Sequence, residues 1–228
     1  MDELPYADVV AVIPAFEEAQ WIGPVVASSL RIVRSVLVVD DGSRDGTWEA
    51  AAEAGAKYVR HAARCGKGAA IRTGLHEIRG GGHRWVLLLD GDGQHDPCDA
   101  PRLRSTAEEH DFDLVVGCRL EDREAHAPVR YYTNLVACNM LSRWLGHDVL
   151  DSQSGFRLIR SAALEGVAFD ASGFEIETEM LVKLCHRGAR VGYVPVRGVA
   201  TGRKSRLRPV RDVTRICLSA VRYQYMSW

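Results

Sequence analysis

No two cysteines in this chain are spaced as a metal knuckle or a redox pair. The six, Cys65, Cys98, Cys118, Cys138, Cys185 and Cys217, lie scattered along 228 residues. That argues against a disulfide framework or a zinc site and fits a reducing cytoplasm. Long apolar runs are missing too. None approaches the roughly 20 residues that span a bilayer. The opening MDELPYADVV has no positive segment ahead of its apolar run, so it does not read as a signal peptide. Charge of one sign is also absent: 29 Lys and Arg against 30 Asp and Glu leave a net charge of -1. No global field then draws the chain to nucleic acid. We see no internal repeat or low-complexity tract. What remains is a soluble or peripheral cytoplasmic protein. Its 46% hydrophobic and 26% charged residues suit one large domain with a substantial core.

The first half alternates short apolar runs with amphipathic stretches. Strands are expected at 9–13, 36–39, 57–60, 85–89 and 114–117. Helices are expected at about 18–30, 47–54, 68–78 and 101–109. Apolar strands separated by helices mean parallel β-α units with both sheet faces covered. In the second half, 129–145 reads as a long helix, 151–157 (DSQSGFR) as a polar loop, 176–187 as a helix and 191–196 as a strand. A basic segment, GRKSRLRPVR, precedes a helical stretch from about 210 to 228. The expected fold is α/β, a single domain with a mainly parallel, Rossmann-like sheet flanked by helices.

Ligands of open parallel sheets bind beyond the carboxyl ends of the strands. Three strands here end in polar chemistry: PAFEE (14–18), DDGS (40–43) and DGD (90–92). On parallel strands these tips share one rim, and so many carboxylates together repel unless something positive intervenes. A hard divalent cation, with a diphosphate adding oxygens, would serve. Asp90 and Asp92 are the candidate ligands of Mg2+ or Mn2+, and the small Gly91 would admit the ligand to the backbone. Asp45 and Thr47 read as helix caps. Caps leave the adjacent Asp40 and Asp41 unexplained, and carboxylates can accept from a base N–H or a ribose hydroxyl. Cys65-Gly66-Lys67-Gly68 lacks the spacing of a phosphate loop. Its glycines, Gly68 among them, would still allow a ligand close to the backbone. Lys67 and Arg72 either add charge there or lie on the surface.

Taken in order, PAFEE, VVDDGSRDGT, GKGAAIRTG, LLLDGDGQHDP, GCR, DSQSGFR and FEIETEML resemble the family 2 glycosyltransferases. The branch they resemble is the polyprenyl-phosphate sugar transferases, such as dolichyl-phosphate mannosyltransferase. The resemblance spans residues 8 to 209. It implies a GT-A fold over 1–209 and an inverting transfer from a nucleotide sugar. It assigns Pro14, Ala15, Phe16 and Glu18 to the nucleotide and Asp40 and Asp41 to base and ribose. Asp90, Asp92 and Gln94 would surround metal and diphosphate. Arg119 and Arg130 would face the acceptor phosphate. Arg203, Ser205 and Arg206 match a loop closing over the diphosphate, with Arg206 replacing a lysine, so charge is kept while geometry differs. His95 is expected to stabilise its loop rather than ligate. Glu177 and Glu179 either orient the acceptor side or pair with Arg157.

The expected activity is therefore metal-dependent transfer of a hexose or N-acetylhexosamine from a UDP- or GDP-sugar. A polyprenyl phosphate, dolichyl or undecaprenyl, is the leading acceptor. It is already an anionic nucleophile, so alignment on the anomeric carbon matters more than a strong base. Many relatives continue into transmembrane helices, whereas this chain ends Met226-Ser227-Trp228. That keeps a second reading open, the same donor chemistry on a soluble small-molecule acceptor in antibiotic or glycoconjugate assembly. A third, less favoured, is a nucleotide-sugar-binding module without turnover. The amphipathic segment 210–228 suits a membrane interface, its own core or a partner subunit equally, leaving room for peripheral membrane contact and a homodimer.

Overall fold

Along the first strand, β1 (Tyr6–Ala15), side chains alternate between two cores. Val9, Ala11, Ile13 and Ala15 face one layer of apolar residues, Val10 and Val12 the other. A strand buried on both faces has this pattern. The computed structural model describes residues 6–118 and 128–199, with 128–133 described by backbone alone. Within them lie six α-helices and seven strands: β1, α1 (Ala19–Leu30), β2 (Val33–Asp40), α2 (Thr47–Glu53), β3 (Lys57–Arg60), α3 (Lys67–Glu77), β4 (Trp85–Leu88), α4 (Ala100–Glu109), β5 (Leu114–Cys118), α5 (Pro128–Leu145), β6 (Arg157–Arg160), α6 (Ile176–His186) and β7 (Val191–Pro195).

The strands form one sheet in the order β3-β2-β1-β4-β6-β5-β7. One core packs residues of α1, α2 and α4 against a sheet face, including Ile22, Val26, Ala51 and Leu103. The other packs Ile71 of α3, Leu141 of α5, and Ile176 and Leu181 of α6 against the opposite face. The expected three-layer α/β arrangement is present. No helix among the described residues is long and apolar enough to cross a membrane. The expected helix at 210–228, and the division at 209, lie outside the described residues.

One strand was not expected. Residues 157–160 continue the DSQSGFR stretch into β6, which runs antiparallel to both β4 and β5. Its sequence, Arg-Leu-Ile-Arg, is framed by charges and lacks the apolar signature of its neighbours. Arg157 is nevertheless fully buried, because its guanidinium donates to the carbonyls of Ser152, Ser154 and Glu177. Burial lowers its pKa from the ordinary guanidinium value, against the pull of Glu177 and Asp151. The reversed direction has a positional effect. The start of β6, and the loop 151–156 before it, lie at the edge where β4 and β5 end.

Candidate active site

β2, β1 and β4 are neighbours and parallel, with Ala15 paired to Asp40 and Val12 to Leu88. Residues 16–18, 41–46 and 90–94 therefore leave the sheet on one edge, and the loop 151–156 joins them there. Hydrogen bonds knit the first two tips together. The Glu17 amide donates to Ser43 Oγ (2.8 Å), the Glu18 amide to Thr47 Oγ1 (2.8 Å) and the Ala19 amide to Asp45 Oδ2 (3.2 Å). Asp45 also accepts from the amide and hydroxyl of Thr47. Burial alone would raise its pKa, but these donors prevail and hold it below the ordinary carboxylate value. Asp45 thus ties the starts of α1 and α2 together, more than the cap expected of it. Pro14 and Ala15 are buried in β1, Glu18 is buried, and Phe16 is half-buried with the Arg64 guanidinium 4.3 Å from its ring centre.

The acidic pair Asp40 and Asp41 is engaged by the protein itself. Asp40 accepts from the Ser43 amide (3.0 Å) and hydroxyl, and the Arg60 guanidinium stands 3.2 Å away. Asp41 accepts from the amides of Cys65 and Gly66 (2.8 Å each) and bonds the His61 ring (2.8 Å). Both carboxylates are buried. The 61–66 loop thus already occupies part of the acceptor capacity of Asp41. Asp41, His61 and Cys65 are also the one group of metal-capable side chains found within 4.8 Å of each other among the described residues. The His61 Nδ1–Asp41 bond, the Nε2–Thr73 bond (3.0 Å) and the Cys65 thiol's bond to the Ala63 carbonyl already satisfy it.

Three glycines were expected to admit a ligand to the backbone, and each already has a part of the protein itself as a close neighbour. A Cβ at Gly66 would lie 2.2 Å from the Ser172 carbonyl oxygen, and one at Gly68 would lie 2.4 Å from that of Ala171. At Gly66 the positive φ of 102° adds a second reason for glycine. The body pressed against these two is the protein's own 171–172 segment, to which the Gly68 amide also donates. Arg72 secures that segment through the carbonyls of Asp170 and Ala171. A Cβ at Gly91 would meet Ile22, Ala15 and Ile13, so its small size serves the core.

Asp90 is where the elements converge. Lys67 Nζ lies 2.6 Å from Asp90 Oδ1 and 2.6 Å from Glu177 Oε1. Burial alone would pull this ammonium's pKa down, but Asp90 and Glu177 outweigh it and hold it above the ordinary lysine range. Lys67 is therefore no surface residue, and part of the charge balance first assigned to a bound cation comes from the chain. Gly155 lies against the Asp90 carboxylate, where a Cβ would stand 2.7 Å from Oδ2. His95 is buried, its Nε2 is 4.0 Å from Asp90 Oδ2, and its ring stacks on Phe156 at 5.3 Å. Asp92 Oδ1 accepts from the Gln94 amide (3.0 Å), and the Gln94 carbonyl from the Val199 amide (3.0 Å). Asp90, Asp92 and Gln94 are each partly exposed.

Glu177 and Glu179 do not share one task, and the hydrogen bonds of Arg157 go to carbonyls rather than to either carboxylate. Glu179 is fully buried, accepts from the amides of Asp170 and Ala171 (2.8 Å each), and pairs with Lys183 at 2.6 Å. It braces the segment that presses on Gly66 and Gly68. Arg119, Arg203, Ser205 and Arg206 lie outside the described residues, and of Arg130 only the helical backbone is described. Gly155, Phe156 and the Lys67–Glu177 contact were not picked out from sequence. Their motifs, SQSGF, GKG and EIE, were visible; their meeting point depends on the reversed β6.

A hard divalent cation fits this edge. The donor set of Asp90, Asp92 and Gln94 offers oxygen, and an ammonium already sits against Asp90 as a positive stand-in.

Residues 10–167 match the model of glycosyl transferase family 2. Glycosyltransferase AglJ of Haloferax volcanii is 33% identical over 218 residues, covering 92% of this chain and 70% of AglJ. Undecaprenyl-phosphate mannosyltransferase of Micrococcus luteus is 28% identical over 208 residues, 82% of each chain. Among solved structures, glucosyl-3-phosphoglycerate synthase of Mycobacterium tuberculosis, in complex with Mg2+ and UDP, aligns with a TM-score of 0.73 at 25% identity. The alignment covers 96% of this chain and 80% of the synthase.

Proposed function

The chain belongs to glycosyl transferase family 2 and is a glycosyltransferase of GT-A fold; from that premise we propose that it moves a hexose or N-acetylhexosamine from a UDP- or GDP-sugar to a polyprenyl phosphate, with inversion. The observation that carries this reading is Asp90. It stands at the carboxyl end of a buried parallel strand, contacted by a lysine and backed by Gly155. The relative from Micrococcus luteus is named for an undecaprenyl-phosphate acceptor, which favours the lipid.

In the proposed reaction a phosphate oxygen of the acceptor forms a bond to the anomeric carbon. The bond from that carbon to the donor's diphosphate breaks on the opposite side, and its electron pair leaves with the nucleoside diphosphate. An anionic phosphate needs no proton removed, so the enzyme's task is alignment and stabilisation of the leaving charge. A divalent ion held by Asp90, Asp92 and Gln94 would supply positive charge to that leaving group. Lys67 is placed to add to it. Pro14, Ala15, Phe16 and Glu18 line the nucleoside side, and Asp40 and Asp41 fix the turns around it. Arg119 and Arg130 are proposed to hold the acceptor phosphate, and Arg203, Ser205 and Arg206 to close over the diphosphate.

The solved neighbour favours a second reading, because its name specifies a phosphorylated small molecule as acceptor. One assay separates the two. Radiolabelled UDP- and GDP-sugars are incubated with enzyme, Mn2+ or Mg2+, and either a short polyprenyl phosphate or 3-phosphoglycerate. Label entering the organic phase supports the lipid acceptor. Label on phosphoglycerate in the aqueous phase supports the soluble one. Absence of transfer to either, with donor bound, removes both.

A further inference from the structure

One ammonium ties three elements together at the candidate site. Lys67 opens α3, Asp90 follows β4, and Glu177 lies in the first turn of α6. The main-chain ends of this tie are fixed. The Gly68 amide donates to the Ser172 carbonyl, and Glu179 holds the amides of Asp170 and Ala171. The four-carbon stem of the lysine is not fixed in that way, and its ammonium has three donors to distribute. Its Nζ lies 5.7 Å from the centre of the Phe174 ring.

Resting on the metal and donor reading above, we propose that Lys67 is the resident counter-ion of the Asp90–Glu177 pair and yields Asp90 only when a nucleoside diphosphate arrives, so that nucleotide and divalent cation bind as a coupled pair. The ammonium and a divalent ion compete for one carboxylate. Both close to Asp90 Oδ1 would repel each other in a site only partly open to water. Phosphate oxygens offer Lys67 an alternative anion. With three donors, it can keep Glu177 while exchanging Asp90 for phosphate. The exchange frees the carboxylate as the nucleotide enters, and linkage makes the effect reciprocal. Lys67 on this account sets when the cation binds, by trading one anion for another.

Manganese binding followed by electron paramagnetic resonance tests this without turnover. Wild type, Lys67→Met, Lys67→Gln and Lys67→Arg are titrated with Mn2+, alone and with UDP or GDP. Wild type and Lys67→Arg should bind Mn2+ weakly without nucleotide. Lys67→Met and Lys67→Gln should bind it about tenfold more tightly, within the usual range of coupling between sites. A purely structural role predicts the reverse, a loosened site that binds Mn2+ less well. Equal or weaker Mn2+ binding by folded Met and Gln variants overturns the proposal. Failure of the underlying reading looks different: no protein, wild type included, takes up Mn2+ even with UDP or GDP, and both ideas fall. Should the neutral variants not fold, wild type decides through the 15Nζ resonance of Lys67. That resonance should move on adding Mg2+ with UDP or GDP; if it stays in place, the proposal is overturned.

Discussion

Gly155 and Asp90 touch with no room between them: any Cβ on residue 155 would stand 2.7 Å from the Asp90 Oδ2. The glycine comes from the loop before β6 and the carboxylate from the end of β4, so the contact records how the reversed strand is seated. Gly155→Ala should turn the Asp90 carboxylate aside while leaving the fold intact. Misplacement of a reacting or binding group by about 1 Å can cost roughly 100-fold, and kcat/KM should fall by that order. Unchanged kinetics would show that Asp90 does not serve at its observed position.

Asp92→Ala should abolish stabilisation by Mn2+ with UDP or GDP and leave the ligand-free melting temperature close to wild type. A ligand at 100 times its Kd contributes about 2.7 kcal/mol to apparent stability, which is the size of the effect that should vanish. A thermal-shift panel reads it directly. An unchanged ligand shift would remove Asp92 from the site.

Glu179 and Lys183 form a buried pair at 2.6 Å. Removing one partner strands the other charge, which typically costs about 3–5 kcal/mol. Lys183→Met should lower the urea midpoint accordingly. Lys183→Met combined with Glu179→Gln should cost less than the sum of the single changes, because the two residues are coupled. Strict additivity would show that the pair contributes nothing as a pair.

Asp45 carries the clearest pH signature. Its carboxyl is held below the ordinary value of 3.8 in the folded chain. A depressed folded pKa contributes stability above the unfolded value, lost as pH falls through the folded one. The destabilisation caused by Asp45→Asn should therefore be fully present above about pH 4 and shrink below it. Melting temperatures of both proteins between pH 2.5 and 6 would show whether the curves converge in acid.

Thiol reactivity should divide along burial. Cys65 and Cys98 are exposed. Burial pushes the Cys138 thiol up to about 11 and the Cys185 thiol up to about 12, and raises Cys118 further. The thiolate is the reactive form. At pH 8, iodoacetamide should label Cys65 and Cys98 in the native protein, and Cys118, Cys138 and Cys185 only after unfolding. Peptide mapping by mass spectrometry checks this, and native labelling of Cys118 would contradict its position in β5.

The alternating elements of the first half were legible because each announces itself locally. Val36 to Val39 and Val86 to Leu89 are apolar runs, and the helices between them repeat at helical spacing. β6 was not legible, because what makes Arg157 tolerable inside a sheet is a set of carbonyls at Ser152, Ser154 and Glu177 that only the folded chain assembles. The site divides in the same way. Asp90 and Asp92 follow a buried strand and stood out from sequence alone. Lys67 looked like one cation among many until α3 placed it between Asp90 and Glu177. The glycines at 66, 68 and 91 were noticed for their smallness, but the chain segments packed against them become visible only in the fold.

The place of β6 between β4 and β5 also bears on how the polypeptide matures on the ribosome. When Leu88 emerges, one flank of β4 has β1 beside it, and the other must wait until β6, beginning at Arg157, has left the ribosome. For that interval a row of unpaired amides and carbonyls lies open to any passing extended peptide, the ordinary hazard of an uncovered sheet border. Arrested nascent chains ending near residue 150 should therefore lean on chaperones more heavily than full-length chains released from the ribosome.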